Sequence, residues 1–150
     1  MSIELELLGA VYSLLNGDST LKNSTGINPL TGAARALTIH NQVVQNQAVP
    51  YVRITLTDSV PIDSEPFGYG YVPTAKSIFL LVDAFSDWEP ECFAISARLQ
   101  TLLGHYEITT ATYHGSTWIQ SVTYFTDNTS DTEHIYRRAS LRVRCNLETS

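Results

Sequence analysis

Residues 136–147 read YRRASLRVRCNL, a run in which apolar and polar side chains alternate. Successive side chains of a β-strand point to opposite faces of its sheet, so this alternation predicts a strand with one buried face. The apolar positions are Ala139, Leu141, Val143, Cys145 and Leu147. The opposite positions are Arg138, Ser140, Arg142, Arg144 and Asn146. The pattern therefore predicts a sheet whose second face carries a stripe of arginines, which is a first indication of contact with a partner.

Two helices are predicted upstream of this strand. The first spans residues 2–15, where apolar side chains recur at helical spacing after Ser2, a residue type that caps helices. The second lies within residues 86–104, where Ser86 and Glu89 have the spacing of a capping box. Its apolar face carries Cys92, Ile95, Leu99 and Leu102.

Five strands are predicted from β-branched content and period-two alternation. They span residues 51–57, 76–85, 106–113, 118–126 and 133–147. The strand at 76–85 is apolar on both faces, so it is expected in the centre of the sheet or beneath a neighbouring subunit. Residues 114–116 are predicted to form a turn. Residues 18–47 are predicted to be mostly loop, apart from a strand-like piece at 37–44, and residues 59–74 to form a long loop.

One domain can hold all of these elements. The chain has 150 residues, 43% of them hydrophobic, which is sufficient for one core. The elements follow the order helix, two strands, helix and three strands. This order predicts an α+β fold in which an antiparallel or mixed β-sheet packs against two α-helices. We expect a single domain over residues 1–150, with the long loop at about 59–74.

The charge of the chain argues against several partners. A formal net charge of −6 disfavours general affinity for nucleic acid or an anionic membrane, because both attract positive surfaces. The N-terminus carries Glu4 and Glu6 where a secretory signal would be positive, and no apolar run approaches the length of a membrane span. We expect no membrane partner and synthesis in the cytosol. Cys92 and Cys145 fall at inward positions, which predicts reduced, structural thiols.

The sequence shows no motif for metal binding, a cofactor or nucleophilic catalysis. The four histidines are scattered without zinc spacing, and no glycine-rich phosphate loop or nucleophile elbow occurs. Two groups of carboxylates could supply an acid and a base: Asp58, Asp63 and Glu65, and Asp87, Glu89 and Glu91. We interpret the first group as solvated loop residues and the second as capping residues of a helix. No catalytic residue, metal ligand or cofactor is therefore predicted.

Two features are candidates for contact with other subunits. The arginine stripe, Arg138, Arg142 and Arg144, is either a solvated sheet face or a surface that binds carboxylates of a neighbouring copy. The long loop carries Phe67, Tyr69 and Tyr71, which either pack on their own sheet or dock onto another subunit. The sequence is compatible with both alternatives for each feature.

The order of the elements, with particular residues in them, resembles the tail-completion or tail-terminator proteins of long-tailed bacteriophages. The similarity covers nearly the whole chain. It begins with the N-terminal helix, the segment Ile39-His40-Asn41, the strand start Pro50-Tyr51-Val52 and the apolar strand at 78–85. It continues through Ser86, the helix with Ile95, Leu99 and Leu102, and the closing strand to Leu147. The polar stretch before Ile39 and the insertion at 59–74 depart from the family pattern.

The resemblance implies a small α+β subunit that forms a ring, typically a hexamer, at the head-proximal end of the tail tube. Such a ring ends polymerisation of the tube and provides the surface for joining the head. The implied partners are further copies of the chain, the tail tube protein and a head-tail connector or head-closure protein, while DNA passes through the ring without specific binding. The implied location is the virion, after assembly in the host cytoplasm, and no reaction is required.

Three other functions are compatible with the residues. A head-closure or adaptor protein of the phage neck would also need contacts between subunits. A small hydrolase would use loop carboxylates around Asp58 and Asp63, in a concave pocket where their pKa values are shifted. A nucleic-acid binder would use the basic strand, although the net charge of −6 argues against it.

Overall fold

The computed structural model describes residues 2–22, 37–41, 50–61, 75–128 and 135–149. Three helices and six strands lie in these ranges. The helices are α1 (Ile3–Asn16), α2 (Ser19–Lys22) and α3 (Glu89–Leu103). The strands are β1 (Thr38–His40), β2 (Tyr51–Pro61), β3 (Ala75–Ser86), β4 (Glu107–Thr109), β5 (Tyr113–Asn128) and β6 (Ile135–Thr149).

The strands form one mixed sheet in the order β1-β2-β3-β6-β5-β4. β1 is parallel to β2, and every other pair of neighbours is antiparallel. β3 lies between β2 and β6, which confirms the prediction of a central strand at 76–85. The α+β class and the mixed sheet are confirmed, with a third, short helix beside the two that were predicted. The extent of a single domain over residues 1–150 stays a prediction.

The core lies between one face of the sheet and the two long helices. The helices contribute Ile3, Leu7, Val11, Leu15, Cys92, Ile95, Leu99 and Leu103, each at most 3% exposed. The two central strands contribute Ile78, Leu80, Val82, Ala84, Ala139, Leu141, Val143, Cys145 and Leu147, all fully buried. Burial of one large aliphatic side chain stabilises a fold by about 1.5–3 kcal/mol, so this layer fixes which face of each strand points inward. The five inward positions predicted for β6 are confirmed.

The start of the chain is helical over a longer stretch than the sequence predicts. Ser2 caps α1 as expected, since its hydroxyl oxygen accepts a hydrogen bond from the Leu5 backbone N–H at 3.2 Å. The prediction of loop after residue 17 is wrong for α2. There Asp18 accepts a hydrogen bond from the Leu21 backbone N–H at 2.6 Å, and the Leu21 side chain is fully buried. A side-chain cap and one apolar anchor thus stabilise this single turn.

The predicted capping box between Ser86 and Glu89 is wrong. Ser86 is the last residue of β3, and Trp88 occupies the N-cap position of α3 without a side-chain cap. The Ser86 hydroxyl instead donates to Glu91 Oε1 at 2.6 Å and accepts from the Trp88 backbone N–H at 3.0 Å. Serine therefore fastens the strand end to the first turn of the helix, with Pro90 in that turn as expected.

The predicted turn at 114–116 lies inside β5. The chain turns at 110–112 instead, where a backbone hydrogen bond of 2.7 Å closes the hairpin between β4 and β5. Gly115 is paired with both β4 and β6. A Cβ atom at this position would collide with the carbonyl oxygen of Asn146. Glycine is therefore needed here because it permits a close approach of two strands, and not because it forms a turn.

Several strand boundaries also differ from the predictions. β2 continues to Pro61, into the predicted loop at 59–74, across a bulge between Leu56 and Asp58. Residues 62–74 of that loop lie outside the described residues. β1 occupies Thr38–His40 within the predicted strand-like piece at 37–44. Residues 42–44 of that piece also lie outside the described residues. β4 is shorter than the predicted strand at 106–113.

The two long helices have 14 and 15 residues. Among the residues that the structure describes, none of the helices combines the length and the apolar character needed to cross a membrane.

Candidate interface on the open face of the sheet

The side of the sheet opposite the core carries arginines and aromatic rings in alternation. We call this side the open face, and it carries the side chains of Arg53, Phe79, Leu81, Asp83, Phe85, Trp118, Phe125, Arg138, Arg142 and Arg144. β6 supplies three of the arginines. Its neighbours β3 and β5 place aromatic residues directly opposite Arg138 and Arg144, whereas Leu81 and Ser121 lie opposite Arg142. Residues opposite each other on antiparallel strands lie within side-chain contact, so the strand register itself builds the alternation.

Arg138 is placed between two phenylalanines. Its cross-strand partners are Phe85 on β3 and Phe125 on β5. The guanidinium carbon lies 6.0 Å from the Phe85 ring centroid and 4.5 Å from the Phe125 ring centroid. A guanidinium group over an aromatic face is attracted by the ring quadrupole, by about 0.5–1 kcal/mol at an exposed site. The two rings therefore hold Arg138 against the sheet.

Arg144 is held in a similar way, with hydrogen bonds in addition. Its guanidinium carbon lies 5.6 Å from the Phe79 ring centroid and 5.1 Å from the Trp118 ring centroid. Its Nε donates to the Ser77 hydroxyl oxygen at 2.8 Å, and that hydroxyl donates to Asn146 Oδ1 at 2.9 Å. Arg144 is thus oriented before any partner binds.

Arg53 on β2 extends the basic face beyond the predicted stripe. Its Nη2 forms an ion pair with Asp83 Oδ2 at 3.2 Å, and the guanidinium carbon lies 5.2 Å from the Phe85 ring centroid. The Asp83 side chain is 4% exposed, and a buried charge needs a partner. Arg53 compensates this charge on the open face. The sequence signal for Arg53 was its position between Val52 and Ile54, which point into the core.

Arg142 is the exposed arginine of the stripe. Its guanidinium carbon lies 5.1 Å from the Phe79 ring centroid. Within the described ranges it forms no hydrogen bond or ion pair, and its guanidinium group contacts the ring of Phe79. It borders a concavity of about 340 Å³ on the open face, which is also lined by Arg138, by the paired Arg53 and Asp83, and by Ser121, Thr123 and Ser140. This surface offers hydrogen-bond donors for an anion.

A second exposed patch lies where β5 passes the first turns of α3. Phe93 and Tyr124 meet edge to face with ring centroids 5.1 Å apart, and they are 46% and 49% exposed. Phe125, 41% exposed, connects this pair to the open face. A cavity of about 150 Å³ beside them is lined in part by Cys92 and Arg137. Exposed aromatic clusters are typical of protein interfaces, and the sequence reasoning missed this one because Phe93 lies on the polar side of an amphipathic helix.

The structure brings together one of the two predicted interface features. Arg138, Arg142 and Arg144 share a single face, as predicted. Phe67, Tyr69 and Tyr71 lie outside the described residues, so docking of the aromatic loop stays a prediction.

The carboxylates considered for catalysis have separate partners. Asp58 is exposed near the end of β2, where its Oδ1 accepts a hydrogen bond from the Ser59 backbone N–H at 2.9 Å. Asp63 and Glu65 lie outside the described residues. Glu91 is buried against Ser86, whereas the Glu89 side chain is 56% exposed and lies 3.9 Å from Arg137. Searched over the same described ranges, histidine, cysteine and acidic side chains form no cluster of three that could hold a metal ion.

Both cysteines are free thiols in the core. Burial raises the pKa of Cys92 to about 11 and the pKa of Cys145 to about 12. The thiolate is therefore disfavoured at neutral pH, and the predicted structural role is consistent with their positions.

Comparison with solved structures finds the same fold in another chain. A chain in a solved structure described as "Virion of native gene transfer agent (GTA) particle" has the same fold, with a TM-score of 0.65. The two chains are 16% identical, and the likeness covers 98% of this chain and 98% of that one. No protein-family model matches the sequence, and no curated protein matches it. The fold is α+β, and one face of its sheet carries arginines beside aromatic rings.

Proposed function

We propose that this chain is a structural virion protein that forms a ring at the head-proximal end of a phage or phage-like tail tube. The ring ends polymerisation of the tube and offers the surface to which the head is joined. The observation that carries the proposal is the likeness, over 98% of both chains, to a chain from a gene transfer agent virion. On this proposal the chain acts by association and shape, and it is not an enzyme.

Ring formation needs two different, complementary surfaces on each subunit, because head-to-tail contacts close when successive rotations complete a circle. The open face has the character of one such surface. Arg138 and Arg144 are already held by aromatic rings, so they lose little side-chain freedom when they bind a carboxylate. We propose a hexameric ring with the tail tube protein on one side and a head-tail connector or head-closure protein on the other.

DNA passes through the ring without specific binding in this proposal. The net charge of −6 supports it, since a protein of the same sign as the phosphates has little general affinity for DNA. The ring assembles in the host cytoplasm and is located in the finished virion.

A head-closure or adaptor protein of the neck is the second candidate. The same likeness favours it, because the description of the neighbouring structure names the whole virion. Both candidates require a ring of identical subunits, and they differ in position within the particle.

The hydrolase alternative has less support. A general acid that works near neutral pH needs a raised pKa. The described carboxylates with shifted pKa values, Glu4, Glu6 and Asp18, are shifted downward. Asp58, which that alternative requires, is exposed to solvent.

Particles assembled with and without this chain test the proposal. Imaging by electron microscopy is expected to show overlong or headless tails when the chain is missing, and mass spectrometry is expected to find the chain in purified complete particles. Tails of normal length with defective head closure would transfer the function to the neck candidate. Absence of the chain from mature particles would overturn both.

A further inference from the structure

The outermost strands of the sheet are short, and each covers only part of the longer strand beside it. β1 pairs with residues 51–53 of β2, and β4 pairs with residues 114–116 of β5. Among the residues that the structure describes, no strand pairs with the outer side of β2 at 54–61 or of β5 at 118–128. We call these two stretches the β2 edge and the β5 edge.

The two short strands lie at opposite ends of the sheet. The register places β1 level with residues 123–125 of β5, and it places β4 level with residues 60 and 61 of β2. One end of the sheet therefore runs from β1 to β5, and the other end runs from β2 to β4. The sheet thus has a stepped outline, in which each side protrudes where the other side is recessed.

The strand directions also match across this outline. β1, β2, β4 and β6 run one way through the sheet, while β3 and β5 run the other way. If a second copy continues the sheet of the first, its β1 lies antiparallel to the β5 edge of the first copy. β4 of the first copy then lies parallel to the β2 edge of the second. A mixed sheet accepts both pairings.

The β5 edge lacks the charged residues and prolines with which soluble proteins commonly keep sheet edges apart. Residues 118–126 read WIQSVTYFT, without a charged residue or a proline. The strand bulges between Ile119 and Ser121, and from residue 120 to residue 126 every side chain except the half-buried Val122 is exposed. A long uncharged edge of this kind readily accepts a further strand.

Most exposed large apolar side chains lie along these edges. Of the five in the described ranges, Val60 is on the β2 edge, and Tyr124 and Phe125 are on the β5 edge. Phe93 packs against Tyr124 with ring centroids 5.1 Å apart, so it borders the β5 edge as well. The fifth, Leu5, is on α1. A neighbour at the edges would remove apolar surface from water, which favours association.

We propose that the two sides of the sheet bind each other between copies, so that β1 of one copy pairs with the β5 edge of the next. At the other step, β4 of that next copy pairs with the β2 edge of the first. This inference rests on the proposed ring, and it specifies which surfaces close it. The two sides differ, so the contact is heterologous and can complete a circle. It includes the margin of the open face, because Phe125 belongs to both.

A second copy suits these edges because it supplies both steps at once. The step between β1 and the β5 edge brings no carboxylate, lysine or arginine into the paired strands, since β1 consists of Thr38, Ile39 and His40. The other step brings Glu107 of β4 close to Asp58 on the β2 edge, and like charges on neighbouring strands repel. We therefore expect the first step to contribute most of the affinity.

Disulfide trapping between copies tests the first step. The register places His40 level with Thr123, on the same face of the sheet. Within one copy four strand spacings, about 19 Å, separate them, which is beyond the reach of a disulfide. In neighbouring copies they would be adjacent. Under an added oxidant, the double variant His40→Cys with Thr123→Cys is expected to give a ladder of linked copies that ends at the ring size on non-reducing electrophoresis.

Single variants separate this contact from other arrangements. His40→Cys alone and Thr123→Cys alone are expected to stay unlinked, whereas their mixture should give linked pairs only, because each contact joins two different sides. Ser13→Cys with Thr123→Cys is the matched control, since Ser13 is exposed on α1, and it is expected to form no ladder. The natural thiols, Cys92 and Cys145, are buried. Circular dichroism under reducing conditions checks that each variant folds.

A shift of two residues between the strands is tested by moving the second cysteine to position 121 or 125, which are in phase with Thr123. Oxidation is carried out on the purified chain and on complete particles. Rings or particles that contain the chain but show no linkage at any of the three positions would overturn the inference and leave the ring proposal standing. Linkage of Thr123→Cys alone would show that two β5 edges meet, which also overturns it. Absence of the chain from particles would overturn both proposals.

Discussion

The guanidinium group of Arg98 and the carboxylate of Asp18 are joined by two hydrogen bonds, 3.1 Å from Nε to Oδ1 and 2.7 Å from Nη2 to Oδ2. This bidentate pair connects α3 to the residue that caps α2. Asp18 therefore has two functions in the fold. It accepts a hydrogen bond from a backbone N–H of α2 that has no partner within the helix, and it anchors that helix on α3.

Replacement of Asp18 by alanine is expected to destabilise the protein by about 1 kcal/mol or more, because the cap is lost together with the partner of Arg98. Urea denaturation followed by circular dichroism measures the change. Ser19→Ala is the matched control: Ser19 is exposed in the same turn, and its replacement is expected to change stability by less than about 0.5 kcal/mol. Equal effects of the two substitutions would contradict the capping role.

Stability is expected to fall in acid. The hydrogen bond from Arg98 lowers the pKa of Asp18, and hydrogen bonds from Thr110 and Thr112 lower that of Glu6. A carboxyl group whose pKa is lower in the folded state stabilises the fold above its unfolded pKa of about 4, and this stabilisation is lost as the pH falls below it. Urea midpoints measured from about pH 7 to about pH 3 test the direction, and Asp18→Asn is expected to flatten part of the slope. A slope unaffected by that substitution would show that Asp18 contributes nothing to it.

Gly115→Ala is expected to destabilise the protein by about 1–3 kcal/mol, because the new methyl group meets the Asn146 carbonyl on the neighbouring strand. Gly9→Ala provides the contrast. No atom lies within 4 Å of a Cβ at that exposed helical position, so it is expected to stabilise α1 by about 0.5–1 kcal/mol. Changes of the same sign in the two variants would contradict the close approach of β5 and β6.

The thiols are expected to resist labelling in the folded state. Burial keeps the pKa of Cys92 at about 11 and that of Cys145 at about 12, so little thiolate forms near neutral pH. A chromogenic thiol reagent should react slowly with the native chain. In urea, where the core is unfolded, it should react readily with both cysteines. Fast reaction of either thiol without denaturant would mean that its part of the core opens readily.

Charge reversal of both Arg142 and Arg144 is expected to impair ring formation or the joining of heads to tails. The double variant places two carboxylates in a face that now carries guanidinium groups beside aromatic rings. Electron microscopy of particles assembled with the variant measures the effect, and circular dichroism checks that it folds. Normal assembly of a folded double variant would remove the arginine stripe from the interface.

The sequence predicts on which face of the sheet a side chain lies better than it predicts which residue of the next strand lies opposite. The alternation in residues 136–147 is sufficient to place Arg138, Arg142 and Arg144 on one side, because burial of the other side permits only one assignment. The aromatic rings beside them depend on the register of β3 and β5 against β6. No local pattern specifies that register, since it is set by contacts between strands far apart in the chain.

Two local sequence signals predict a wrong role for the residue that carries them. The sequence predicts Gly115 as a turn residue, whereas the carbonyl of Asn146 on a distant strand is what requires glycine. Ser86 has the right spacing from Glu89 for a capping box, yet β3 extends through Ser86 and its hydroxyl binds Glu91. In both cases a tertiary contact, invisible in a short window of sequence, determines the conformation.

β6 comes after all the other described strands in the sequence but inserts between β3 and β5. Until it does so, both neighbours present unpaired edges, and joining edges so distant along the chain is slow. A nascent copy is thus exposed to aggregation until β6, Ile135–Thr149, has been synthesised and inserted. The yield of this protein in a cell should accordingly depend on chaperone supply and growth temperature more than its final stability would suggest.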